Sequence, residues 1–262
     1  VAATDVGSSG GLSGYDVRAT NGAVGADWRF GFGAAGFALS YEYADVSAGA
    51  NGSGDVDTYQ GGLYGTFDAG PVAFALRDGL SWGDLSTSRL TSLGSYAATA
   101  SADGSGFGGF AEATAFHAFE TPAVTVTPSA TLGYRGFRRD AATETGSVFA
   151  LTVPAETFTE TQTTLAVALS HRFSLANGVL LEPVASVGWR HDFGGIDRST
   201  DLGLLGAAFS ADGAEVGDDA FLGSLGLTAV ASDRFALGAS YQAEIRDNLT
   251  GHTFAAQASI RF

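Results

Sequence analysis

The last stretch of the chain, Phe235 to Phe262, alternates apolar and polar residues twice in succession, and few folds accept that pattern. Phe235, Leu237, Ala239, Tyr241 and Ile245 share one parity, with Ser240, Gln242, Glu244 and Arg246 between them. After a short Asn/Gly/His break, Phe254, Ala256, Ala258, Ile260 and Phe262 alternate with Thr253, Gln257, Ser259 and Arg261. Neighbouring side chains of a strand point to opposite faces. Each segment therefore reads as a strand with one apolar and one charged face. Such strands suit a sheet with lipid outside and water inside, and also a half-buried soluble sheet.

Composition narrows the choice. Hydrophobic residues make up 45% of the 262 and charged residues only 16%, with Gly 38 and Phe 19, which is poor in charge for a soluble protein. No run reaches the ~18 apolar residues of a membrane helix. Hydrocarbon leaves no partner for a free backbone N–H, so a β-barrel is the remaining membrane fold. Without cysteine, no disulfide holds the chain. A net charge of -15 excludes nucleic acid as a partner, since phosphates would be repelled. Much of the acid sits in SGDVD, ADGAEVGDD and TETG, which read as solvated loops, with calcium or lipopolysaccharide bridging as the alternative. The start at Val1, without methionine or a signal-like segment, suggests a piece of a longer, processed precursor.

Upstream, the same alternation recurs. Val24, Ala26, Trp28 and Phe30 oppose Asp27 and Arg29; Phe37, Leu39, Tyr41 and Tyr43 oppose Glu42. Further strands are centred on Leu63, Leu76, Ala113, Leu132, Val167, Val187 and Leu225. Asp78 falls on an apolar parity, which predicts a bulge there or a place near an interface. GFGAAG, DAGP, FETPA, LANG and ASDR are tight turns, whereas the breaks near 48–56, 84–102, 138–156 and 194–217 are long and polar. Short turns on one side and long loops on the other are the layout of an outer-membrane barrel. About eleven strands are clear, and an even number requires another near Val1, where its beginning is cut away. The expectation is one domain over 1–262: an all-β, transmembrane, antiparallel up-and-down barrel of 12 strands, short turns and both termini periplasmic, longer loops extracellular.

Parity then assigns the faces. Asp27, Arg29, Glu42, Arg77, Glu112, Arg135, Arg172, Glu182, Arg190, Asp192, Glu244, Arg246 and Arg261 are expected in the lumen, either paired with one another or holding a guest segment. Glu112 and Arg135 are the pair expected to help fix a pore occupant. Trp28, Tyr41, Tyr43, Trp82, Tyr134, Trp189 and Tyr241 are candidates for an aromatic girdle.

In this order, GYDVRATNGAVGADWRF, SGDVDTYQGGLYGTFDAGP, SGFGGFAEATAFHAF, VTPSATLGYRGFRRD, LLEPVASVGWRHDF and the terminal ASIRF resemble the translocator domain of classical monomeric autotransporters, the type V secretion system. The resemblance covers essentially the whole chain. It implies a monomeric barrel in a Gram-negative outer membrane, in contact with lipid and lipopolysaccharide, that passes an N-terminal passenger to the cell surface and keeps a linker helix in its pore. It also implies that Phe254, Ala256, Ala258, Ile260 and Phe262 resemble the signal read by the barrel-assembly machinery. The family often has Arg where this chain has Phe110.

No catalytic, metal or cofactor site is expected. GSGFGG, residues 104–109, has a dinucleotide-binding form but enters a strand with no helix after it. His117, His171, His191 and His252 are scattered, and Ser170 and His171, adjacent on a strand, point apart. The alternative to a translocator is a stand-alone, porin-like channel for passive diffusion of small solutes.

Overall fold

A computed structural model describes the chain except residues 9–12, 50–51, 177, 194–198 and 262. Twelve strands form the wall. They are β1 (Ala2–Val6), β2 (Tyr15–Phe30), β3 (Gly33–Ser47), β4 (Gly52–Ala69), β5 (Val72–Leu93) and β6 (Tyr96–Phe116). The ring continues with β7 (Thr125–Arg139), β8 (Glu156–Ser170), β9 (Leu180–Phe193), β10 (Asp219–Ser232), β11 (Phe235–Arg246) and β12 (Leu249–Ile260). Each pairs antiparallel with the one before it, and β12 returns to β1 through Thr253↔Ala2 and Leu249↔Val6. Below Val1, which bonds the backbone of Phe254, no described strand lies between Asn21–Phe30 and Ala255–Ile260.

Lipid explains why so many large apolar side chains lie on the outside. Val24, Leu39, Leu63, Leu80, Leu132, Val187, Leu225 and Phe254 are all exposed, and all share the outward parity of their strands. In water this belt would be an aggregation surface; in hydrocarbon it is the solvated face.

Asp78 keeps its outward place without the bulge expected at that position. The register runs unbroken through Leu63↔Asp78↔Ala111, so the carboxylate stays between Leu76 and Leu80 on the lipid side.

The breaks differ more. The stretch 84–102 is not a loop: β5 continues to Leu93, turns at Gly94–Ser95 and returns as β6. Within the long loops, Ala142–Thr143, Leu151–Val153, Ser199–Leu204 and Ala207–Asp212 form a second, four-stranded sheet outside the barrel. It is tied to the β6 edge of the β5–β6 extension through backbone bonds between Ser101 and Thr145. Arg89 adds two hydrogen bonds to Glu144, each 2.7 Å, and a third to the Phe149 carbonyl.

Burial pushes the Glu144 carboxyl up, but the Arg89 hydrogen bonds, the Leu151 N–H and the Arg89 charge together hold it below its ordinary 4.5. A depressed carboxylate stabilises docking fully above its unfolded value and loses that contribution as pH falls through the folded one. A fluorophore on exposed Val148 is thus expected to report an unchanged environment from pH 8 to 5, with release confined to pH below about 4.5. A transition at pH 6, or an unshifted one in Glu144→Gln, would contradict this.

Candidate functional site: the barrel lumen

Inward parity gathers the wall's charges into a polar interior, and the register decides which of them meet. Gly79 lies opposite Phe110 and Arg77 opposite Glu112, so Arg77 donates to both Glu112 oxygens, at 2.9 and 2.6 Å. Arg135, across from Glu160, donates to Gln162 at 3.3 Å and lies 3.7 Å from Glu160. Arg172 and Glu182 pair at 2.5 Å near the periplasmic end. Asp27 accepts from Tyr64 at 3.2 Å and Glu42 from Asn21 at 3.4 Å, while Arg29 shares their face. Arg261 lies past the end of β12, and its guanidinium bonds the Asp233 carbonyl in a periplasmic turn rather than lining the wall.

The tightest group spans three strands. Ala220 of β10 stands between Arg190 of β9 and Arg246 of β11, and its methyl group is too small to separate them. Arg246 therefore reaches Asp192 at 2.7 Å and Glu244 at 2.8 Å, and Arg190 reaches Glu244 at 2.5 Å. Asp192 is only 2% exposed. The returning segment before β10 covers the cluster: Arg246 donates to the Gly217 carbonyl, and Asp192 N–H to that of Asp218. Asn248, in the left-handed region (φ 61°) at the β11–β12 turn, clamps the same segment by donating to the Glu215 and Gly7 carbonyls.

Sequence reasoning missed Arg89–Glu144, Arg139–Glu156 (3.1 Å) and the role of Glu160, because these residues fell inside or beside what read as loops.

On the outer face the aromatic candidates divide into two levels. Trp28 packs against Phe37 beside the turn at Gly31–Phe32. At the other level Tyr41 donates to Asp57, Tyr43 to Asp55 (2.6 Å), Trp82 to Asp84 (3.2 Å) and Trp189 to Asp219 (2.9 Å). Tyr241 bonds His252 at 2.9 Å, and Tyr134 is exposed beside Leu132. Between Ala35, opposite Trp28, and Tyr43, the strand climbs roughly 20 Å at ~3.4 Å per residue and ~45° tilt, close to the ~25 Å apolar band of such barrels. Ring bodies in hydrocarbon with polar tips held by carboxylates are what an interface requires.

Phe254, Ala256, Ala258 and Ile260 lie along the outward side of β12; Phe262 lies outside the described residues.

With the wall, lumen and belts in place, the chain can be set beside known proteins. The profile of the autotransporter beta-domain matches residues 2–242. The chain belongs to the autotransporter β-domain family. Accordingly, this β-domain is an outer-membrane translocator barrel of a Gram-negative bacterium. It is similar over its whole length to the translocator domain of NalP from Neisseria meningitidis, with a TM-score of 0.78 and 18% identity, covering 85% of that chain. The beta domain of BrkA from Bordetella matches 99% of this β-domain and 98% of its own length, with a TM-score of 0.70 and 20% identity. Among curated proteins, the extracellular serine protease of Serratia marcescens is 23% identical over 235 residues, 89% of this β-domain. The β-domain spans 22% of that relative's length.

Proposed function

We propose that this β-domain moves its own N-terminal passenger through the lumen to the cell surface, and that a linker segment from upstream of Val1 then stays in the pore as a helix. The observation that carries the reading is a closed polar lumen in a chain that matches the autotransporter β-domain over residues 2–242. The barrel performs no chemistry itself and works as a monomer. Its carboxylate-tipped aromatic belt faces lipopolysaccharide. Glu112, bonded by Arg77 where the family often supplies Arg at the place of Phe110, and Arg135 help fix the linker.

In cells making the full-length protein, external protease is expected to remove the passenger while the barrel remains heat-modifiable on gels. A passenger that stays inside the cell while the barrel inserts normally would favour a porin-like channel.

The assembly machinery is proposed to read the outward side of β12 together with Phe262. An apolar strand edge is an aggregation hazard until it closes, so it has to be recognised early. Deleting Phe262, or Phe262→Asp, is expected to shift most of the protein from the heat-modifiable outer-membrane fraction to a protease-sensitive periplasmic one. Wild-type insertion kinetics would show that Phe262 is merely another lipid-facing side chain.

A further inference from the structure

One apolar area of the barrel faces the lumen rather than lipid. Phe110 of β6, Phe137 of β7 and Phe158 of β8 all take the inward parity, with Phe137 opposite Gly108 on one side and Phe158 on the other. The Phe110 ring lies over Gly79, and the Phe137 ring over Gly106 and Gly108, where a β-carbon would collide with it. Glycine thus provides the floor for both rings. Phe158, with the Arg139 guanidinium 5.7 Å from the centre of its ring, is still 37% exposed on a face that no acyl chain reaches. These rings border a cavity of about 430 Å³ that opens into the lumen. Phe137 and Phe158 lie on the extracellular side of Tyr134, and therefore at the exit.

The charges around this area are already matched: Arg77 with Glu112, Arg135 with Glu160, Arg139 with Glu156. Beside what Glu112 and Arg135 contribute to fixing the linker, covering exposed aromatic surface is favourable in its own right. The ledge is therefore a site of apolar contact within a polar conduit.

We infer that Phe110, Phe137 and Phe158 form an apolar ledge at the extracellular exit that seats an apolar side chain of the protein's own pore-resident segment, upstream of Val1. This rests on the translocator reading and adds to it the wall and the chemistry of the contact. The segment is the fitting occupant because the ledge faces the lumen, where a chain lying in the pore must pass it.

The test uses the full-length protein in outer membranes, with Phe158→p-benzoylphenylalanine as photo-crosslinker and Leu165→p-benzoylphenylalanine, outward on the same strand, as control. Irradiation is expected to give an intramolecular adduct between position 158 and an apolar residue upstream of Val1, at least tenfold above the control. No adduct, or one mapping to 142–155, 199–212 or another protein, overturns the ledge. Passenger exposure is scored in the same cells: a displayed passenger without the adduct overturns the ledge alone, and an undisplayed passenger overturns the translocator reading. As an independent readout, Phe158→Ser is expected to raise ion leak severalfold and Phe158→Leu to restore it; unchanged leak in Phe158→Ser would count against the ledge.

Discussion

An Asp192→Ala barrel is expected to unfold at distinctly lower denaturant or temperature, with a loss of about 3–5 kcal/mol, the usual cost of leaving a buried ion without its partner. Of its carboxylate partners Arg246 would keep only Glu244, which it shares with Arg190, beside its bond to the Gly217 carbonyl. The comparison is Arg172→Ala at the periplasmic end, where the arginine is mostly in water and the pair is worth about 0–1 kcal/mol. Replacing Asp192 and Arg246 together by apolar residues of similar size should cost less than Asp192→Ala alone, because no charge is then stranded. Urea midpoints in lipid vesicles decide the matter. Equal losses for Asp192→Ala and Arg172→Ala would mean that the cluster is as wet as the rest of the lumen.

The second large effect concerns neighbouring residues on opposite faces of one strand. Leu39 points to lipid between Val24 and Gly61, whereas Ser40 points inward beside Gln60. Leu39→Arg places a guanidinium near mid-membrane and is expected to cost about 2–4 kcal/mol, while Ser40→Arg enters a polar lumen and should cost under about 1 kcal/mol. Folding titrations into vesicles measure both. If the order were reversed, the strand would face the other way and the parity of the whole hairpin would be wrong.

Strands inside the membrane were legible because two different solvents impose the alternation on them. Val24, Trp28, Leu39 and Tyr41 could be placed by parity alone, since lipid demands an apolar residue at every second position. Above the membrane that demand lapses. Between Ser86 and Ala102 both faces of the β5–β6 hairpin meet water or other polar loops, so Ser, Thr and Ala occupy both parities and the segment read as a loop. The faces of Asp192 and Arg246 were also legible, but not their meeting. It depends on Ala220, from a strand far away in sequence, being small enough to bridge over. Phe137 and Phe158 escaped notice for a related reason: in a sequence rich in phenylalanine, nothing marks the few that face the lumen until the register sets Phe137 over Gly106 and Gly108 and Phe158 beside Phe137.

Asp78 has a consequence for the membrane itself. Its side chain is too short to reach either headgroup layer from the height of Leu63, and no described residue bonds it. A polar group held at such a depth draws water and headgroups toward itself, so the bilayer yields before the strand does. Around most of its circumference the barrel accepts the thickness of the lipid it meets. Along β5 it is expected to dent that lipid, leaving a lopsided annulus that is thinnest beside the longest strand of the wall.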